Sequence, residues 1–210
     1  MIDRLYITGC DASTEWQLDF FVPRFREHNP NAELMIFDFG METSKYSEIR
    51  KSHRTDETGW FKKPSAMMKA SKMAKEVCWL DTDVEVLGSL DSIFDYVEDN
   101  KLAMAIDRPW TSRRGEIWQN SGVVAFRGMP VILGKWVKEV RERPNVGDQE
   151  VLHSLLRPDP MNRIVHTTYL PNRYNVLRLQ IQDQTLPEKI VCMHWTGAKG
   201  NMKIKELMNE

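Results

Sequence analysis

Val77-Cys78-Trp79-Leu80-Asp81-Thr82-Asp83-Val84-Glu85-Val86-Leu87 sets two carboxylates one residue apart at the end of an apolar run. The apolar half reads as a buried strand. Side chains alternate along an extended segment, so Asp81 and Asp83 are expected to point the same way while Thr82 faces elsewhere. Two convergent carboxylates suit a hard divalent ion, Mg²⁺ or Mn²⁺, which completes its shell with water and the oxygens of a substrate phosphate. A diphosphate-bearing substrate is therefore the first expectation. The plain alternative is a solvated turn whose acids merely stop a strand.

Outward from this run, strand-like and helix-like segments alternate. Residues 5–8 read as a short buried strand ending at Gly9, and Ser13 or Thr14 is expected to cap a helix carrying Trp16, Phe20 and Phe21. A second strand is predicted over residues 34–39, and residues 40–59 are polar with poor periodicity. Pro64 opens a helix whose Met67, Met68, Met73 and Ala74 can face a core, and this helix feeds the acidic strand. A helix near 91–97, a strand over 102–106, a long polar loop, a strand over 122–126 and a helix started by Pro130 follow. The alternation predicts an α/β fold with a mostly parallel central sheet flanked by helices, a single domain over residues 1–210. Ligands of such sheets gather beyond the carboxyl ends of the strands, where Thr8, Asp81, Asp107 and His194 all fall.

The bulk composition excludes several classes of function. With 210 residues and 41% hydrophobic content, the chain can bury one substantial core. A net charge of -1 argues against sequence-independent binding of nucleic acid. Cys10, Cys78 and Cys192 are an odd count, two of them in apolar runs, so they read as core thiols of a reducing compartment. Neither a signal-peptide pattern nor a run long enough to cross a bilayer is present, and a soluble cytoplasmic protein is expected.

Several further groups carry candidate chemistry. His194 ends the apolar run 189–193 and could add a nitrogen to the two carboxylates; a simple hydrogen-bonded histidine is the alternative. Behind it, Gly197 and Gly200 let backbone amides approach an anion, with Lys199 or Lys203 near to neutralise phosphate oxygens. Asn120-Ser121-Gly122 stands before an apolar strand and offers a surface for sugar hydroxyls, or an ordinary turn. Asp148, with Gln149 and Glu150 after it, is expected to cap a helix carrying Val151, Leu152, Leu155 and Leu156 while keeping an ionised carboxylate at the rim. Lys62 and Lys63 put a cation at the start of the helix before Asp81, and residues 107–114 mix aromatic, basic and hydroxyl side chains as a carbohydrate or anion site would.

In order, Lys63-Pro64, Leu80-Asp81-Thr82-Asp83, Leu87-Gly88-Ser89-Leu90, Asn120-Ser121-Gly122, Asp148-Gln149, Leu170-Pro171-Asn172-Arg173-Tyr174-Asn175 and His194-Trp195-Thr196-Gly197 resemble a GT-A glycosyltransferase, most closely the glycogenin and galactosyltransferase group called glycosyltransferase family 8. The resemblance implies transfer of a hexose from a UDP-sugar, UDP-glucose by default, to an acceptor hydroxyl. It implies Mn²⁺ or Mg²⁺ held by Asp81, Asp83 and His194. It maps the uridine to Thr8, Gly9 and Asp11, the ribose to Thr82, and the donor to Lys63. Asp107, Asn120, Ser121 and Gly122 would line the donor sugar, Asp148 and Gln149 would flank the anomeric carbon as the catalytic pair, and Gly197 and Lys199 would meet the diphosphate. The nucleotide half would span about 1–106, and the donor-sugar and acceptor half about 107–210. Where the family usually has Gly, two variable residues and Lys-Pro-Trp, this chain reads Gly197-Ala198-Lys199-Gly200-Asn201, so Lys199 comes one place early. The acceptor, whether saccharide, lipid or protein, and the stereochemical outcome stay open. Two rival readings are a haloacid-dehalogenase-like phosphatase, which also carries Asp-x-Asp after an apolar strand, and a nucleotide-sugar binding protein without turnover.

Overall fold

In the computed structural model, which describes residues 1–210, strand β1 (Ile2–Cys10) leads through a tight turn into helix α1 (Leu18–His28), then β2 (Leu34–Asp38) and the short β3 (Arg50–Ser52). Helix α2 (Lys63–Ala70) precedes β4 (Ala74–Leu80), and residues 81–83 turn the chain into β5 (Val84–Val86). Then follow β6 (Leu102–Ile106), α3 (Arg108–Arg114), β7 (Gln119–Arg127), α4 (Val131–Glu142), α5 (Asp148–Leu156), α6 (Pro160–His166) and β8 (Thr167–Tyr169). The chain closes with β9 (Val176–Leu177), α7 (Leu179–Gln182), β10 (Cys192–His194) and α8 (Gly197–Leu207).

Seven strands form one sheet in the order β3-β2-β1-β4-β7-β6-β8, and β5, β10 and β9 form a second, smaller one. In the large sheet β7 runs antiparallel to both neighbours, and every other adjacent pair is parallel. The expected α/β architecture with a mostly parallel sheet flanked by helices is what the chain adopts. The pleat sends alternate residues to opposite faces. Leu5, Ile7, Val77 and Trp79 therefore meet apolar stripes of α2, α4 and α5, whereas Tyr6, Cys78 and Leu80 meet Leu18, Phe21 and Phe25 of α1. Helix α4 shows why the sequence chose a helix there, with Ile132, Leu133, Trp136, Val137 and Val140 buried at three- and four-residue spacing after Pro130. Each such side chain contributes about 1.5–3 kcal/mol by leaving water.

From β1 the chain adds β2 on one side and β4 on the other, so the order reverses between β1 and β4. Their carboxyl ends splay a crevice at that point, the place where open α/β sheets bind ligands. No helix is long and apolar enough to cross a membrane. All three cysteines are buried and free, as core thiols should be.

Several local expectations are corrected. Helix α2 stops at Ala70, and Ala74 already begins β4. Residues 91–96 form a 3-10 helix instead of an α-helix, and the polar stretch 40–59 contains β3. The loop expected at 107–114 is helix α3, capped by the Asp107 carboxylate on Trp110 N–H, with Pro109 in the first turn. Neither Ser13 nor Thr14 caps α1; Asp11 Oδ1 instead gathers Ser13 N–H, Ser13 Oγ and Thr14 Oγ1. Asn120-Ser121-Gly122 lies inside β7 and not in a turn before it. At α5 the side-chain contact to the helix start comes from Glu150, which accepts the Gly147 N–H at 2.8 Å, and Asp148 is the first helical residue.

Candidate active site

Asp81 and Asp83 do converge, but through a turn and not through strand alternation. Strand β4 ends at Leu80, Val84 N–H donates to Asp81 O at 3.1 Å, and Asp81 N–H is held by Gly122 O at 2.8 Å. Strand β10 then pairs antiparallel with β5, setting His194 opposite Val84, while Trp195 N–H binds Asp83 O at 3.0 Å. The result is a cluster in which one ligand atom from each of Asp81, Asp83 and His194 lies within 4.8 Å of the others. His194 Nε2 is 3.0 Å from Asp83 Oδ1 and 3.9 Å from Asp81 Oδ2.

Two carboxylate oxygens and one imidazole nitrogen form a donor set that fits Mn²⁺ or Mg²⁺. The remaining bonds of the cluster favour that use. Asp81 Oδ1 is anchored by Trp79 Nε1 at 2.6 Å and by Lys63 Nζ at 2.9 Å, while Oδ2, which Lys63 Nζ also reaches at 3.2 Å, is the oxygen nearer the histidine. Burial pushes the Asp81 carboxyl upwards; Lys63 opposes this and Asp83 adds to it. For His194, burial favours the neutral ring, yet Asp83 and Asp81 outweigh it and raise the pKa. A divalent ion between them would remove both frustrations by neutralising the carboxylates.

Lys63 is the buried cation at the centre. Its Nζ, with the side chain only 4% exposed, is 2.9 Å from Asp81 and 3.2 Å from Asp148, and it also reaches Ser121 Oγ and Ser121 O. Burial works against the charge, but Asp148 and Asp81 more than offset it and drive the pKa up. The lysine thus ties the Asp81 carboxylate to that of Asp148 on α5. Asp148 Oδ2 also accepts from Ser121 Oγ at 3.1 Å, and Gln149 Oε1 accepts Ser121 N–H at 3.1 Å.

Two connected clefts meet at this cluster. One, about 280 Å³, is lined by Gly9, Cys10, Asp11, Gln17, Phe39, Trp60, Lys63, Asp81, Thr82, Asp83, Gly197 and Asn201 among others. The second, about 320 Å³, is lined by Trp60, Lys63, Asp81, Asp83, Asn120, Ser121, Gly122, Asp148, Gln149, His194 and Thr196. Two clefts of similar size therefore share Asp81 and Asp83 as their common wall.

Some sequence-derived candidates stand elsewhere. Thr8 is fully buried in β1 and lines neither cleft. Thr82 does line the first cleft, with its hydroxyl bonded to Gln17 Oε1. Asp107 is buried with both oxygens used by the chain itself, on Trp110 N–H, Asn120 Nδ2 and Gln149 Nε2. Lys199 is exposed on α8 outside both linings, and Gly200 is packed so tightly that a Cβ there would fall 1.7 Å from Trp195 O. Gly122 lacks a Cβ for a different reason than a ligand: the His194 ring fills the space. Sequence reasoning missed Gln17, Phe39, Trp60 and Asn201, contributed by segments with no motif of their own, and gave no role to Asn175 of the run 170–175, whose buried amide contacts His194.

Comparison with known proteins agrees with this architecture. The nucleotide-diphospho-sugar transferase family matches residues 19–207. The galactosyltransferase LgtC, solved with donor and acceptor sugar analogs, is similar at a TM-score of 0.62 and 15% identity, over 98% of this chain and 95% of its own. Glycosyltransferase GlyE of Streptococcus pneumoniae TIGR4 is similar at 0.67 and 17%, over 93% of this chain and 55% of its own. A glycosyltransferase involved in glycosylation of the major capsid of PBCV-1 is similar at 0.66 and 13%, over 99% and 100%. At such identities these likenesses speak for the fold, GT-A, and no curated protein matches the chain. The match across nearly the whole length sets aside the phosphatase reading of Asp81-Thr82-Asp83, and the chain belongs to the nucleotide-diphospho-sugar transferase family, a family of glycosyltransferases.

Proposed function

We propose that the protein transfers a hexose from a UDP-sugar, UDP-glucose by default, to an acceptor hydroxyl, as a member of the glycogenin and galactosyltransferase group. The observation that carries this reading is the convergence of Asp81, Asp83 and His194 where the two clefts meet. These three residues would hold Mn²⁺ or Mg²⁺, which supplies positive charge to a departing diphosphate. Gly9 and Asp11, beyond the end of β1, line the cleft expected to receive the uridine. Gly197, the first residue of the eleven-residue helix α8, also lines it, and a helix N-terminus favours phosphate oxygens.

On the sugar side, Ser121, Asp148 and Gln149 form one hydrogen-bonded wall braced by Lys63. Asp148 would steady positive charge developing on the anomeric carbon. Its Oδ2 is already engaged by Lys63 and Ser121, which suits a fixed charge better than a proton acceptor. Gln149 is our candidate for the face of the sugar; a glutamine is also an active-site residue of LgtC.

We read residues 1–210 as one domain, because strands from both proposed halves share one sheet. The halves are interleaved at the site, since the nucleotide cleft draws Gly197 and Asn201 from beyond residue 107. Three buried thiols suit a reducing, cytoplasmic setting. The test is UDP release from a panel of UDP-sugars with Mn²⁺ or with EDTA. Metal-dependent release from one UDP-hexose is expected; release of inorganic phosphate from simple phosphomonoesters, or UDP-sugar turnover indifferent to EDTA, contradicts the reading.

A further inference from the structure

The hydrogen bonds behind His194 fix which of its nitrogens carries the proton. Gly122 N–H can only donate, and it meets Asn120 at 2.9 Å, so the atom it meets is the amide oxygen. The amide nitrogen of Asn120 is thereby aimed at Asp107 Oδ2, 3.1 Å away, a carboxylate oxygen that accepts. Asn175 approaches the same Asn120 oxygen at 2.8 Å and must present its own Nδ2. Its Oδ1 is then the atom 3.0 Å from His194 Nδ1, and an oxygen there requires Nδ1–H. The four groups are shielded from water: Asn175 is 0% exposed, Asp107 1%, His194 3% and Asn120 6%. In such a setting a reversed amide would set oxygen against oxygen or leave a donor unmatched, at a cost water cannot relieve.

We propose that Asp107, Asn120 and Asn175 are positioning residues: a directional relay from Asp107 and Gly122 N–H holds the His194 imidazole with its proton on Nδ1, leaving Nε2 to present its lone pair to a divalent ion beside Asp81 and Asp83. The inference rests on the metal reading above and adds what supports the ligand from behind. Buried Asp107, which touches neither cleft, acquires a role through it, since the same Oδ2 also accepts from Gln149 Nε2 at 3.2 Å. One carboxylate would thus align the imidazole of the metal site and the glutamine of the sugar wall. Outer partners of metal-bound histidines commonly set affinity by 10–100-fold in this way.

The test combines Mn²⁺ titration with imidazole ¹⁵N spectra of the full chain. In Mg²⁺-loaded parent protein His194 should carry its proton on Nδ1, protected from exchange. Asn175→Ala should weaken Mn²⁺ binding about 10–100-fold. Asn175→Asp, whose second carboxylate oxygen would meet the Asn120 amide oxygen where Nδ2 now donates, should not recover that loss, whereas a purely packing role would let this isosteric variant bind Mn²⁺ as the parent does. A proton found on Nε2, or an Asn175→Ala protein that melts cooperatively and binds Mn²⁺ within twofold of the parent, overturns the relay. If the variants do not fold, the parent spectrum alone decides. A parent that binds no Mn²⁺ refutes the metal reading itself, and so is distinguishable from failure of the relay.

Discussion

Gly122→Ala isolates the histidine ligand more cleanly than removing it. A Cβ on Gly122 would stand 2.1 Å from His194 Cε1, 2.5 Å from Nδ1 and 3.0 Å from Asn120 Oδ1. Carbon atoms prefer separations near 3.5–4.0 Å, so the ring must retreat by about 1.5 Å. It cannot do so and keep its place: Nδ1 is bonded to Asn175, Nε2 lies 3.0 Å from Asp83, and the backbone is paired to β5. The φ of Gly122 is outside the left-handed region, so alanine adds no backbone strain and the injury is confined to the contact. Displacing a ligand should cost at least as much as losing its outer partner, so Mn²⁺ affinity should fall about 100-fold or more, roughly 2.8 kcal/mol. Calorimetric titration of Mn²⁺ measures this, with melting in EDTA as the control for folding. An alanine variant that folds and binds Mn²⁺ within twofold of the parent would refute the packing of His194 against β7 as the basis of the site.

Three other perturbations probe different parts. Lys63→Met leaves Asp81 and Asp148 without their shared buried cation, so urea unfolding in EDTA should lose about 3–5 kcal/mol, partly restored by Mn²⁺; a loss below about 1 kcal/mol would contradict the lysine's bracing role. The raised pKa of His194 stabilises the metal-free protein fully below the ordinary 6.5, and that stability is lost as pH rises through the raised value. Mn²⁺ needs the neutral ring, so its affinity should climb over the same interval with proton release in calorimetry, and a flat affinity between roughly pH 6 and 8 would count against ligation by His194. Asp11→Ala loosens the turn before α1 by about 1 kcal/mol and should raise the KM for UDP-sugar while leaving Mn²⁺ affinity unchanged; weakened Mn²⁺ binding would misassign that end of the cleft.

Much of the fold was legible because the buried strands are continuous apolar runs. Residues 77–80 and 123–126 announce themselves without help from tertiary context. The misread segments are those where local signals conflict. Ala74 fits a helical spacing with Met67, yet it is claimed by the β1 pairing, where it sits opposite Ile2. Asp107-Arg108-Pro109 looks like a loop, but an Asp cap followed by proline is also a helix start, and α3 took that course. At the site, Asp81, Asp83 and His194 were visible as residue types at strand ends, while the reason for their convergence was not. It depends on a turn and on β10 lying beside β5, a pairing across more than a hundred residues. Asn175 stood within the matched run 170–175, but its role was out of reach, since that comes from the partners folding brings to it.

The central claim is that Asp81, Asp83 and His194 together hold the cation that receives the diphosphate. Anomalous diffraction from crystals grown with Mn²⁺ and UDP tests it most directly. The account predicts one manganese peak bonded to an oxygen of each aspartate, to His194 Nε2 and to the UDP diphosphate. A peak elsewhere, or UDP bound in the cleft of Gly9 and Asp11 with the three side chains turned away from any metal, would contradict it.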